Sequence, residues 1–123
     1  DNSFSINDED GNTTVETGQE LPDDFPKDAI PYLDEKKVTL VFSNTTEGKK
    51  SWSVTTTVDK SVDDAVAHFE STLVEPNYTE VSSYGYNDTS TFSARTAVYS
   101  IYVTVSKSEN DPDTVVSYVI SQE

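Results

Sequence analysis

Apolar and polar side chains alternate along much of the chain. Val38, Leu40 and Phe42 share one face, and Trp52, Val54, Thr56 and Val58 do the same in the next run. This period of two is that of β-strands. Asn44 to Lys50, with Gly48, reads as the hairpin loop between them. The period then lengthens: Val62, Ala65, Val66, Phe69 and Leu73 gather on one stripe of a helix. Ser61 is placed to cap that helix, Asp63 and Asp64 complement the positive end of its dipole, and Pro76 and Asn77 stop it. Four further strand runs follow, Tyr78 to Tyr84, Thr89 to Arg95, Val98 to Ser106 and Thr114 to Ser121, all rich in β-branched and aromatic residues. Gly85 to Asp88 and Glu109 to Asp113 supply turn chemistry, but Arg95-Thr96-Ala97 does not. The runs on either side of it therefore read as one long strand or as two split at a bulge.

Upstream the pattern is different. Phe4 to Ile6 and Thr13 to Val15 flank Asp8-Glu9-Asp10-Gly11-Asn12, a short hairpin whose turn uses the conformational freedom of Gly11. Pro22, Pro26 and Pro31 then forbid helix and favour an extended strap, anchored by Leu21, Phe25, Ile30 and Leu33. The expected fold is α+β. One helix packs on one face of an antiparallel sheet of about five or six strands in the order ββαββββ, with an N-terminal hairpin and a Pro-rich strap. Residues 1–35 form the hairpin and strap on the core, and residues 36–123 form a single α+β domain.

Composition adds a charge constraint. The net charge is -15, and residues 1–35 hold eleven acids against Lys27 alone. Such a field repels phosphate backbones and anionic lipid, which excludes nucleic acid and acidic membrane surfaces as partners. The acidity reads chiefly as a solvated segment that keeps the chain soluble. There is no Cys and no Met, so thiolate chemistry and disulfides are absent. Sixteen Ser and sixteen Thr give a hydroxyl-rich composition typical of exported strand-rich domains.

Candidate chemistry is sparse. His68, the one histidine, falls off the apolar stripe and one turn after Asp64, where a surface Asp–His pair is the expectation. The sequence contains no G-x-S-x-G, no Gly-rich phosphate loop and no paired-His metal motif. Asp8, Asp10, Gly11 and Asn12 resemble part of a calcium loop. The outer ligand positions of that pattern, however, fall on Ile6 and Thr17, so an acidic turn is expected. No catalytic residue, metal ligand or cofactor is assigned. Asn12, Asn44, Asn77 and Asn87 each head an Asn-x-Ser/Thr triplet in an expected loop or edge. Tyr84 and Tyr86 fall at an expected loop tip, and Tyr102 faces away from the side of its strand that carries Tyr99, Ile101, Val103 and Val105. These three rings are the candidate ligand-binding residues, able to stack on a sugar or pack on a protein.

Glu9-Asp10-Gly11, Glu16-Thr17-Gly18 and the run Leu21-Pro22-Asp23-Asp24-Phe25-Pro26 through Pro31 resemble the mature segment of small actinobacterial and other Gram-positive lipoproteins. The Trp-containing strand Ser51 to Val58, the helix after Ser61 and the Thr/Val-rich end are similar too. The resemblance implies a signal peptide, a lipid-bearing cysteine and a flexible linker upstream of Asp1. It therefore implies a place on the outer face of the cell membrane, or secretion, with membrane attachment only through that anchor. It lends no catalytic residue, and the lipid-bearing cysteine itself is not in this sequence. The expected function is a non-catalytic envelope domain, binding or structural, whose partner is an envelope protein or a glycan. Two alternatives remain open: a carrier holding a small apolar or glycan ligand between helix and sheet near Trp52, Phe69 and Tyr99, and a carboxylate-based hydrolase.

Overall fold

The computed structural model describes the backbone of residues 4–7, 13–18, 20–86, 89–107 and 113–123, and the side chains within those spans from Glu20 onward except that of Tyr86. Eight strands and one α-helix follow in chain order. They are β1 (Phe4–Asn7), β2 (Thr13–Gly18), β3 (Lys37–Thr46), β4 (Lys49–Val58), α1 (Val62–Thr72), β5 (Thr79–Tyr86), β6 (Thr89–Arg95), β7 (Tyr99–Lys107) and β8 (Thr114–Gln122). They form one sheet in the order β1-β2-β3-β4-β8-β7-β6-β5, with every neighbouring pair antiparallel. From residue 36 onward the element order is ββαββββ, an α+β architecture. The turn expected over residues 8–12, with its calcium-loop resemblance, lies outside the described residues. So do Asn12, Asn87 and residues 109–112.

The connection through α1 carries the chain from β4, in the middle of the sheet, to β5 at its edge. The meander β5-β6-β7-β8 then returns until β8 pairs with β4. One face of this sheet is buried. It carries Trp52, Val54, Thr56 and Val58 from β4, Val116, Tyr118 and Ile120 from β8, Ile101, Val103 and Val105 from β7, and Phe92 and Ala94 from β6. Two segments cover it side by side.

The first is α1. Ser61 accepts a hydrogen bond from the Asp64 N–H at 3.1 Å, satisfying one donor of the first turn. Ala65, Phe69 and Leu73 turn inward and are buried. Phe69 meets Phe92 and Tyr118, with ring centres 5.8 and 6.1 Å apart.

The second cover is residues 20–36, which contain one short 3-10 turn, Lys27–Ala29. Phe25, Ile30 and Leu33 are buried in the same core as the helix residues. Phe25 sits edge-on to Trp52 and Tyr118, Tyr32 stacks on Tyr118 with centres 5.0 Å apart, and the Leu33 N–H donates to the Tyr118 hydroxyl at 3.0 Å. At the surface Asp24 accepts from the Trp52 indole at 3.3 Å and pairs with Lys50. Burial alone would raise the Asp24 carboxyl, but the hydrogen bonds from Lys50 and Trp52 and the Lys50 charge outweigh it. The carboxyl is held below its ordinary value.

Three local expectations are corrected. The loop expected over Asn44 to Lys50 shrinks to Glu47-Gly48, whose φ values of 54 and 80° are those of a two-residue turn matched to strand twist. The expected single or bulged strand across Arg95-Thr96-Ala97 is a hairpin, since β6 and β7 lie side by side. Thr96 makes that turn: its Oγ1 accepts from the Val98 and Tyr99 N–H groups at 3.2 and 3.0 Å, and its own N–H donates to the Tyr99 carbonyl at 2.9 Å. In β3 the register slips between Val38 and Leu40, so Val41 and Ser43 are buried while Leu40 and Phe42 are not. The shared face read for Val38, Leu40 and Phe42 does not survive that bulge. Among the described residues no helix is long and apolar enough to cross a membrane.

Candidate binding surface

Because α1 and residues 20–36 lie on the same side of the sheet, no described element covers its other face, the open face. In antiparallel strands directly paired residues project to the same face, so the registers define rows across it. Phe42, Ser53, Val119, Tyr102, Ser93 and Ser82 form one row from β3 to β5. Leu40, Thr55, Ser117, Thr104, Thr91 and Tyr84 form the next. The large side chains in these rows are exposed: Tyr84 to 69%, Leu40 to 55%, Tyr102 to 50%, Val119 to 45% and Phe42 to 43%.

Between them lie hydroxyls, mostly half-buried. Ser117 Oγ donates to Thr55 Oγ1 at 3.4 Å, and the Ser82 and Ser93 hydroxyls are 2.6 Å apart. Neither row contains an Asp, Glu, His, Lys or Arg. Charge sits at the ends of the strands, where Arg95 bonds Glu80 at 3.1 Å and also pairs with Glu123, and Lys36 bonds Asp113 at 3.0 Å.

The candidate ring residues divide as follows. Tyr84 and Tyr102 stand in adjacent rows of this face, two strands apart. Tyr86 pairs through its backbone with Thr89, and its side chain lies outside the described residues. Tyr84 and Tyr86 belong to β5 and not to a loop tip. Leu40, Phe42 and Val119 share the face but were missed. Val119 could have been found, since it lies directly between Tyr118 and Ile120: its neighbours on either side point to the core and it must point away. Leu40 and Phe42 could not, because the bulge that turns them outward leaves no mark in the hydrophobic pattern.

His68 is not the expected surface partner of Asp64. Its ring turns edge-on to Phe69, centres 5.0 Å apart, and its Nε2 is buried with no hydrogen-bond partner. The three rings proposed to line a carrier site are committed to packing. Phe69 and Trp52 are core residues, and Trp52 and Tyr99 meet edge-on at 6.2 Å. An open groove of about 610 Å³ lies elsewhere, between Glu20–Leu21 and residues 34–38. Among the described residues no three His, Asp or Glu side chains converge as metal ligands would. Of the glycan-acceptor triplets, Asn77 is exposed beyond the helix, while Asn44 lies within β3 and accepts from Ser51 Oγ at 3.0 Å.

Comparison with family models, characterised proteins and solved structures finds no match to this chain.

Proposed function

We propose that this chain is a non-catalytic binding domain of a Gram-positive cell envelope, working on the outer side of the membrane and engaging its partner with the open face of the sheet. The observation that carries the reading is the exposure of Tyr84, Tyr102, Phe42, Leu40 and Val119 on that one face. Exposed rings sharing a surface with few charges supply contact area at little desolvation cost, which is what recognition surfaces use. The outer-envelope location rests on the hydroxyl-rich composition and on the resemblance of the Leu21 to Pro31 run to lipoprotein segments.

The test is retention of the purified chain on isolated Gram-positive envelopes, comparing it with a Tyr84→Ala/Tyr102→Ala variant of matching circular dichroism. Retention that falls about tenfold or more in the variant is the expected result. Equal retention of the two, or none of either, overturns the reading.

A further inference from the structure

We infer that the occupant of the open face is an uncharged polysaccharide; this rests on the binding reading above and narrows it to a ligand class. The first ground is charge. The molecule carries a net -15, yet the two central rows of the face hold no Asp, Glu, His, Lys or Arg. Among the described residues at its margin, Glu80, Glu123 and Asp113 are each ion-paired. A polyanion is repelled by the molecule as a whole, and a cationic partner is drawn to the acidic segments elsewhere. What this face complements electrostatically is a neutral surface.

The second ground is the interleaving of rings with hydroxyls. Tyr102 and Val119 stand beside Ser53, Ser93, Ser117 and Thr104, and Tyr84 beside Thr91. An apolar partner, including the same face of a second copy, would pack on the rings but strip water from the hydroxyls without replacing all of its hydrogen bonds. A sugar chain does both jobs. Its C–H faces lie on aromatic rings while its hydroxyl groups donate to and accept from Ser and Thr.

The third ground is extent. Strands lie ~4.8 Å apart, so Phe42, Tyr102 and Tyr84 mark a path of roughly 25 Å across the sheet. That length suits an oligosaccharide segment of a polymer, not a single sugar. Neither row offers a carboxylate or guanidinium of its own to fix one sugar's orientation, so the site reads a chain by shape and stacking. Charge screening should leave its affinity unchanged.

The experiment is native affinity electrophoresis of the whole chain in gels containing barley β-glucan, galactomannan or dextran, with polygalacturonate as the anionic control. Retardation by at least one neutral polymer and none by polygalacturonate is expected. Tyr102→Ala and Tyr84→Ala should each weaken that retardation about tenfold, and Thr104→Val, which keeps the shape and removes the hydroxyl, should weaken it as well. His68→Gln should change nothing. Absence of retardation by all three neutral polymers, or equal retardation of wild type and ring variants, overturns the glycan assignment. If envelope retention depends on Tyr84 and Tyr102 while no neutral polymer retards the chain, the assignment falls and the binding face stands. If sedimentation equilibrium shows a dimer that Tyr102→Ala dissolves, the occupant is a second copy and the glycan is refuted.

Discussion

Tyr32 and Tyr118 stack on each other, but their hydroxyls have different fates, and that difference is measurable. The Tyr118 oxygen accepts from the buried Leu33 N–H, while burial pushes its phenol far above the ordinary range, so it stays protonated at any working pH. The Tyr32 oxygen is buried beside the Glu35 carboxylate and serves no backbone donor. Removing the first oxygen strands a backbone donor; removing the second strands none. Tyr118→Phe should therefore cost about 1–3 kcal/mol in urea unfolding, and Tyr32→Phe less than about 0.5 kcal/mol. Equal losses would mean that ring packing, common to both variants, sets the energetics. At this scale the sequence was least legible. The alternation marks that Tyr118 faces inward, but nothing in it names Leu33, 85 positions away, as the group its hydroxyl serves. His68 is a similar case: its spacing placed it off the apolar stripe, and the bulk of Phe69 beside it supplies a partly buried berth that spacing alone does not reveal.

Among elements, legibility followed periodicity. The helix from Val62 to Thr72 and the six strands after residue 36 are long enough for a period of 3.6 or 2 to assert itself, and a Ser cap and a stop signal bound the helix. The elements misread were those made by one residue breaking the period: the slip at Thr39, the Thr96 turn, and the Glu47-Gly48 turn that lets strands extend through polar Asn44, Thr45 and Thr46. The slip matters most, since it moved Leu40 and Phe42 onto the open face. One contact between elements carries a pH signature. Asp24 fastens residues 20–36 to β4 through Lys50 and Trp52, and its carboxyl titrates below its ordinary value of 3.8. A depressed folded pKa gives stability that is present above the unfolded value and lost as pH falls through the folded one. The group is half exposed, so solvent screening keeps the effect small. Asp24→Asn should cost less than about 1 kcal/mol at about pH 7, and the difference from wild type should vanish in acid well below pH 3.8. A difference that persists there would assign the loss to packing and not to charge.

For the whole molecule the question is which electrostatic term sets stability, the ion pairs or the net charge. Lys36–Asp113, Lys50–Asp24 and the Arg95 pairs with Glu80 and Glu123 all lie at least partly in solvent. Solvent-exposed pairs of this kind contribute little, and salt weakens them. Against them stands the self-repulsion of a net -15 held within a compact chain of 123 residues, which favours expansion and which salt also weakens. The two terms respond to salt with opposite sign. With 23 Asp and Glu against eight Lys and Arg, repulsion is the winner, so raising NaCl from about 10 to 150 mM, which shortens the screening length from ~30 to ~8 Å, should stabilise the fold. An increase of roughly 1 kcal/mol, or about 4 °C in melting temperature by calorimetry at constant pH, is expected. A falling melting temperature would mean that the ion pairs dominate. The same titration separates stability from recognition. The fold responds to salt through its net charge, whereas two rows without Asp, Glu, His, Lys or Arg on a neutral sugar chain have no charge to screen. Retardation by a neutral polysaccharide should therefore stay constant over the salt range in which the melting temperature climbs.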